Sequence, residues 1–226
     1  WNWKESATSG FDMVSYTGDG SNRTVSHSLS AVPQMIMVKN LSAGDAWKVY
    51  HSGVASDAAT DYLVLDTDAA AVDDATVWND TVPTSSVFSL GTHDDVNTNT
   101  ESFIAYLFAE VQGFSKFGYY VGNGDADGPF VSCDFSPVFV MVKKSSDAEN
   151  WCISDIARST YNVAALRLQA DTTAADTSST TMDINANGFK IRASDAEVNT
   201  SSGNYIYAAF AEYPFGGDGV APAVAR

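Results

Sequence analysis

One loop of the sequence carries oxygen-bearing side chains at the spacing of a calcium-binding loop. Asn123, Asp125 and Asp127 occupy alternate positions, Gly128 takes the sixth place, and Asp134 stands where such loops usually have a glutamate. A hard cation such as Ca²⁺ prefers oxygen ligands, and the glycine lets the chain turn around it. The pattern predicts calcium as a cofactor, although Asx-rich hairpin turns give the same pattern for purely local reasons.

Two glutamates recur at matching places, and paired carboxylates are the groups that hydrolyse glycosidic bonds. Glu110 and Glu212 each follow Phe-Ala at the end of a strand-like segment. A glycosidase holds its two carboxylates about 5–9 Å apart across a groove. Because each glutamate ends the same strand of a different half, a structural role is the simpler interpretation. The Glu-x-Asp-x-x-Glu pattern of concanavalin-like glucanases is also absent, so we expect no enzyme.

Histidine and cysteine are too sparse to indicate a metal centre or a nucleophilic one. His27, His51 and His93 are not at metal-ligand spacing, and neither Gly-x-Ser-x-Gly nor His-Glu-x-x-His occurs. We expect these histidines at the surface or in turns. Two cysteines cannot make a disulfide framework or a four-ligand zinc site. We expect Cys133 to be buried and Cys152 exposed, with free thiols as the simpler interpretation and a disulfide as the alternative.

Aromatic side chains are the remaining candidates for a binding surface. Trp47 and Trp151 recur at matching places, which favours a packing role. Tryptophans that do not recur, together with some tyrosines, are suited to stacking on sugar rings or anchoring a protein interface. Core packing is the alternative for each of them. The candidates for ligand or interface contact are Trp1, Trp3, Trp78, Tyr50 and Tyr119.

All of these residues lie in a sequence whose second half repeats landmarks of the first. Tyr16-Thr-Gly-Asp-Gly20 returns as Tyr120-Val-Gly-Asn-Gly124 after 104 residues, and Phe108-Ala-Glu110 returns as Phe210-Ala-Glu212 after 102 residues. Landmarks in the same order with so little drift indicate duplication. Positions that recur serve folding, so residues that break the repeat are the better functional candidates, and a binding surface should differ between the halves.

The repeat predicts a first unit at residues 1–113, a second at 114–215 and a tail at 216–226. The junction at Gln112–Gly118 is short and aromatic, unlike a flexible linker, so we expect the two units to pack together. The tail has little to bury, and we expect it to be ordered only against a neighbouring subunit.

Short runs rich in Val, Ile, Tyr, Phe and Thr recur between Gly, Asn, Asp and Ser, which is typical of β-strands. Seven strands per unit predict an all-β fold of two tandem, homologous antiparallel β-sandwich or jelly-roll-like units. The Ala-rich stretches Ala69–Ala75 and Ala170–Ala175 lack a helical apolar stripe and are predicted as loops with at most one helical turn. The predicted strands lie near Phe11–Tyr16, Thr24–Leu29, Gln34–Asn40, Trp47–His51, Tyr62–Asp66, Val87–Leu90, Ser102–Val111, Lys116–Val121, Phe130–Phe135, Val138–Lys143, Trp151–Asp155, Ala165–Gln169, Phe189–Arg192 and Asn204–Tyr213.

The charge balance restricts the partners. Twelve Lys and Arg stand against 28 Asp and Glu, a net charge of -16. Such a chain repels phosphate backbones and anionic membrane surfaces, so we expect no nucleic-acid partner. Since no run approaches the roughly 18 apolar residues of a membrane span, we expect no membrane insertion either.

Several strings resemble an uncharacterised repeat domain at the C-terminal ends of large structural proteins of marine tailed bacteriophages. The resemblance covers nearly the whole chain and implies a tail-fibre or capsid-appendage component at the virion surface, with no catalytic residues to carry over. A chain that begins at Trp1 is then expected to be the terminal domain of something longer. The similar strings include Trp1-Asn-Trp-Lys4, Gly10-Phe-Asp12, Trp78-Asn-Asp-Thr81, Ala105-Tyr-Leu-Phe-Ala-Glu-Val111, Gly128-Pro-Phe-Val131 and Asn187-Gly-Phe-Lys190.

The sequence thus favours a non-enzymatic bacteriophage virion structural protein, an exposed tail-fibre or spike domain for host-surface recognition. Its expected partners are other virion proteins, further copies of itself in a homo-oligomer, and a glycan or protein of the host surface. A capsid decoration or fibre-stabilising protein is one alternative. A polysaccharide-acting enzyme is another.

Overall fold

The computed structural model describes residues 2–54 and 57–212. The chain divides into two compact units, Trp1–Asp66 with Ala71–Glu110 and Thr67–Ala70 with Val111–Arg226. The structure is all-β with antiparallel sheets, which confirms the predicted all-β class, while the duplication stays a prediction. The division falls after Glu110, whereas the sequence placed it after residue 113. No helix in the described part of the chain has the length and apolar character needed to cross a membrane.

The first unit consists of two layers. Six strands form one sheet in the order β1-β8-β3-β4-β5-β6, and β2 pairs with β7 in a second sheet. A 3-10 turn at Ala7–Ser9 and the one-turn helices α1 (Ala75–Trp78) and α2 (Asp94–Asn97) complete the unit. Its strands are β1 (Phe11–Thr17), β2 (Arg23–Ser26), β3 (Pro33–Asn40), β4 (Lys48–His51), β5 (Asp61–Val64), β6 (Val72–Asp73), β7 (Val87–Leu90) and β8 (Ser102–Ala109).

The second unit joins all of its strands in one eight-stranded sheet. The order is β10-β15-β14-β13-β12-β11-β16-β9, and the one-turn helix α3 (Ala196–Asn199) precedes the last strand. Its strands are β9 (Ser115–Val121), β10 (Phe130–Ser132), β11 (Phe139–Lys144), β12 (Cys152–Asp155), β13 (Ala164–Gln169), β14 (Thr177–Asn185), β15 (Gly188–Ile191) and β16 (Asn204–Phe210).

Period-two alternation builds the core of each unit. In β8, Phe103, Ala105 and Leu107 are fully buried on one face, because successive side chains of a strand point to opposite faces of the sheet. Val25 of β2 and Phe88 of β7 belong to the same apolar cluster, so the two sheets of the first unit share one core. The second unit has a separate core of its own.

One buried asparagine ties the first turn of the first unit to its last helix. The Asn97 amide nitrogen donates to the carbonyl oxygens of Ser21 at 2.7 Å and Gly91 at 2.8 Å. Its amide oxygen accepts from the backbone N–H of Asp19 at 3.0 Å. A buried amide is stable only when its donors and acceptor are paired, so this position requires Asn.

Asn199 makes the same three bonds in the second unit. Its amide nitrogen donates to the carbonyl oxygens of Asp125 at 2.7 Å and Ala193 at 2.8 Å, and its oxygen accepts from the N–H of Asn123 at 2.8 Å. The Val-Asn pair that recurs in the sequence therefore holds the same turn in each unit by the same three hydrogen bonds. We call this set of bonds the asparagine clamp.

A recurring glycine allows the chain to approach this clamp closely. A Cβ atom on Gly18 would lie 2.1 Å from the carbonyl oxygen of Thr98, and one on Gly122 would lie 2.2 Å from that of Thr200. Neither position has room for a side chain, because the neighbouring atoms belong to the backbone. These glycines serve packing.

The units differ most in the chain between their fifth and seventh strands. In the first unit this stretch forms the two-residue β6 and then α1, which begins after Asp74 caps the N–H of Thr76 at 2.8 Å. Helix α1 buries Trp78, which is 2% exposed and meets Tyr50 edge to face at 6.0 Å. In the second unit the stretch forms the nine-residue β14, which pairs with both β13 and β15.

Each of the fourteen predicted strands overlaps an observed strand, and β6 and β14 were missed. Strand β14 begins Thr-Ser-Ser-Thr-Thr and lacks the apolar alternation that marks its neighbours. Ala170–Ala175 contains no strand or helix, as predicted, whereas Ala69–Ala75 includes β6 and the start of α1. The single turn allowed in Ala69–Ala75 is the start of α1, which depends on its Asp74 cap rather than on an apolar stripe, whereas the two-residue β6 was not predicted.

Candidate functional site

The outward face of β10, β15 and β14 forms a polar groove on the second unit. Phe189 and Ile191 of β15 are fully buried and point into the core, so Lys190 between them points outward. The groove has a volume of about 500 Å³, within the roughly 300–1,000 Å³ of small-molecule sites. Its lining residues are Phe130, Asp183, Asn185, Ala186, Asn187, Lys190 and Arg192.

Strand register places three different kinds of side chain in one row across neighbouring strands. Lys190 of β15 pairs with Phe130 of β10 on one side and with Asp183 of β14 on the other. The Phe130 ring is 46% exposed, which is unusual for a large apolar side chain. The row therefore offers an apolar ring, a cation and a carboxylate side by side. The amides of Asn185 and Asn187 add both donors and acceptors to the groove.

The charges of the groove are paired. Lys190 Nζ lies 2.8 Å from Asp127 Oδ1, and Arg192 Nε lies 3.6 Å from Asp183 Oδ2. The hydrogen bond and the positive charge of Lys190 lower the pKa of Asp127, so this carboxyl stays ionised at neutral pH. Asp127 belongs to the loop that the sequence singled out, which the pair brings beside the groove.

The matching row of the first unit lacks this chemistry. Val25 pairs with Phe88 in the first unit's core as Val131 pairs with Phe189 in the second. The adjoining pair is Thr24 with Ser89, where the second unit has Phe130 with Lys190. Neither an aromatic ring nor a charge stands in this row. The groove chemistry thus breaks the repeat.

The structure separates the five aromatic candidates. Trp78 and Tyr50 are core residues, so they cannot meet a ligand at the surface without unfolding helix α1, and the core-packing alternative holds for both. Trp3 is half-buried against Phe108, with ring centroids 6.0 Å apart. Tyr119 on β9 is 62% exposed and remains a candidate. Trp1 lies outside the described residues.

The predicted calcium ligands make local bonds of their own. Asn123 Oδ1 accepts from the N–H of Asp125 at 3.0 Å, and Asp125 Oδ1 accepts from the N–H of Asp127 at 2.8 Å. Asp127 pairs with Lys190, and Asp134 lies 3.2 Å from the Ser132 hydroxyl. No group of three His, Cys, Asp or Glu side chains suited to a metal occurs within residues 2–54 and 57–212. These bonds are the Asx turns that the sequence left as the alternative, and calcium stays a prediction.

Both cysteines are buried and neither forms a disulfide, so the expected exposure of Cys152 was wrong. Cys152 starts β12 facing the core, with its Sγ 3.4 Å from Glu197 Oε2. Burial and the neighbouring Glu197 carboxylate raise the pKa of this thiol well above its usual value. A neutral thiol is a poor nucleophile, and the geometry does not support catalysis here.

Glu197 anchors a buried polar cluster whose counterpart in the first unit uses different residues. Arg167 pairs with Glu197 at 2.8 Å in the second unit, and Lys48 pairs with Asp95 at 3.1 Å in the first. Lys48 pairs with Val38 as Cys152 pairs with Val142, so the cation lies on β4 in the first unit and on β13, next to β12, in the second. A buried carboxylate needs a charged partner, and the two units supply it from different strands.

Lys143 is one of the buried charged groups of the second unit. It is fully buried, and its Nζ donates to the carbonyl oxygens of Lys144 at 2.8 Å and Asp68 at 3.1 Å. Burial lowers the pKa of this amine to about 8, against the opposing pull of Asp171 and other nearby carboxylates. Its counterpart Lys39 is only partly buried.

The histidines and recurring glutamates do not form a site. His51 is buried and its Nδ1 accepts from the N–H of Gly53 at 3.0 Å, so its expected exposure was wrong. His93 caps α2 through the N–H of Asp95. Glu110 and Glu212 are exposed, one in each unit.

Sequence reasoning missed Phe130, Asp183, Lys190 and Arg192, which carry the groove. The available signal was the stretch at 177–185, which has no counterpart of similar sequence in the first half. Fold and groove together define an all-β protein with one open polar sheet face. Residues 3–214 match the family described as a domain of unknown function, DUF7483, and the chain belongs to this family. No curated protein and no solved structure matches the chain.

Proposed function

We propose that this chain is a non-enzymatic recognition domain of a bacteriophage virion, carried on an exposed appendage such as a tail fibre or spike. The groove of the second unit binds a glycan of the host surface. The observation that supports this function is the row Phe130, Lys190 and Asp183 on an open sheet face, with no counterpart in the first unit. The resemblance of the sequence to phage appendage domains supplies the biological setting.

The chemistry of the groove supports binding rather than hydrolysis. A glycosidase needs one carboxylic acid whose pKa is raised so that it can protonate the leaving group. The groove carboxylates Asp127 and Asp183 are each paired with a cation, and the pKa of Asp127 is lowered. Aromatic rings, amides and paired charges are the groups that hold a polar ligand in orientation.

An appendage presents this groove outside the particle, where the acidic chain contacts other virion proteins and further copies of itself. A net charge of -16 keeps it from adhering to nucleic acid released during infection. Affinity for one sugar site is weak, and several copies on one fibre raise the avidity.

A printed array of oligosaccharides tests the proposal with the purified chain. We expect the wild type to bind a defined subset of the array and Phe130→Ala to lose at least tenfold in signal. Thr24→Ala changes the matching row of the first unit and serves as the control, with unchanged binding expected.

Wild type that binds no oligosaccharide overturns the recognition function and favours a capsid decoration or fibre-stabilising protein. Unchanged binding by Phe130→Ala shows that the groove is not the site. Shortened oligosaccharides recovered from the array solution would contradict the non-enzymatic part of the proposal.

A further inference from the structure

The charges in and beside the groove sum to zero, because Asp127 beside it joins Asp183, Lys190 and Arg192 of its lining. Its two cations, Lys190 and Arg192, are matched by Asp127 and Asp183. An anionic ligand that reaches either cation meets a carboxylate that already balances the charge of that cation. The remaining charge of the molecule repels it as well, since the chain carries -16 overall.

The groups that face the groove suit hydroxyls instead. A sugar hydroxyl is both donor and acceptor, so it can bond a carboxylate oxygen and a cationic N–H at once. Asp183 and Arg192 offer this combination 3.6 Å apart, and the amides of Asn185 and Asn187 offer it within single side chains. Phe130 gives the apolar C–H face of a pyranose ring a surface to pack on.

We infer that the groove selects an uncharged, hydroxyl-rich pyranose and discriminates against sugars that bear sulfate or carboxylate. This inference rests on the proposed function and narrows its ligand class. Asp183 accepts a hydrogen bond from a ring hydroxyl, Arg192 donates to a neighbouring hydroxyl, and Phe130 stacks against the ring. The Asp127–Lys190 pair closes the end of the row and keeps its cation from attracting anions.

Calorimetric titration of the full chain with neutral galactan oligosaccharides and with their sulfated counterparts tests the selectivity. We expect the neutral oligosaccharides to bind at least tenfold more tightly than their sulfated counterparts. The same comparison applies to any other neutral series that the array selects. Raising NaCl from 50 to 500 mM should change the affinity less than twofold, because no net charge is neutralised on binding. Tighter binding of the sulfated form, weakening steeply with salt, overturns the inference.

Two substitutions separate hydroxyl recognition from anion recognition. Asp183→Asn removes an acceptor and releases Arg192, so it should weaken neutral-sugar binding at least tenfold, whereas an anion site would bind more tightly. Asp127→Asn frees the Lys190 cation and should tighten binding of the sulfated sugar at least fivefold, so that the preference for the neutral sugar falls. Wild-type chain that binds the sulfated sugar more tightly than the neutral one, with a strong dependence on salt, contradicts the inference but leaves glycan recognition standing. Failure of all sugars to bind removes the proposed function itself.

Discussion

The two units of this chain fold the corresponding stretch, between their fifth and seventh strands, in different ways. In the first unit it folds inward as α1 and buries Trp78 against Tyr50. In the second it extends as β14, joins the sheet and leaves Asp183 and Asn185 on an outward face. The Asn97 and Asn199 clamps meanwhile make the same three bonds. The two units therefore keep the same hydrogen bonds at their turns while the connection between the fifth and seventh strands takes a different structure in each.

Trp78→Ala is the change that separates the two arrangements most strongly. The side chain is 2% exposed in the core of the first unit, and truncating a buried tryptophan costs about 3–5 kcal/mol. Phe130→Ala is the matched change on the open face of the second unit, and we expect it to alter the free energy of unfolding by about 0.5 kcal/mol or less. Denaturant titration measures both. Equal losses would contradict the assignment of one aromatic residue to packing and the other to the surface.

The asparagine clamps should be equivalent in energy. Asn97→Ala and Asn199→Ala each remove three buried hydrogen bonds, and we expect each to lower the free energy of unfolding by about 2–4 kcal/mol. Asn99→Ala, at an exposed position two residues after Asn97, is the control. A large cost in one unit alone, measured by the same titration, would show that the clamp supports only that unit.

Buried Lys143 should make the stability of the second unit depend on pH in mild alkali. Because burial lowers the pKa of Lys143 to about 8 from the usual 10.5 of a lysine, the unfolded chain binds more protons than the folded chain between these two pH values. The free energy of unfolding therefore rises with pH in this window, by about 1 kcal/mol between pH 8 and pH 9. Lys143→Met should remove that rise, whereas Lys39→Met in the first unit should keep it.

Thermal unfolding at closely spaced pH values compares the three proteins. The informative quantity is the difference between wild type and Lys143→Met, since other groups of the chain titrate in both. A difference that is flat from pH 8 to pH 9 would show that Lys143 is not the source of the rise.

Most strands followed from the sequence, because residues such as Phe103, Ala105 and Leu107 alternate in the period that a half-buried strand requires. The groove did not follow. Phe130 and Asp183 meet across Lys190 through strand register, and they are far apart in the sequence. Trp78 was kept as a surface candidate beside its core-packing interpretation, because a non-recurring tryptophan looks the same in the sequence whether it is buried or exposed. Trp78 lies in the core because the capped turn of α1 places it there.

The central claim is that ligand binding belongs to the second unit alone. Chemical-shift mapping of the labelled chain with an oligosaccharide selected on the array tests it most directly. The account predicts that the amide signals which move belong to Phe130, Asp183, Asn185, Lys190 and Arg192, while those of Thr24, Ser89 and the rest of β2 and β7 stay in place. Shifts centred on the first unit, or spread equally over both units, would contradict it.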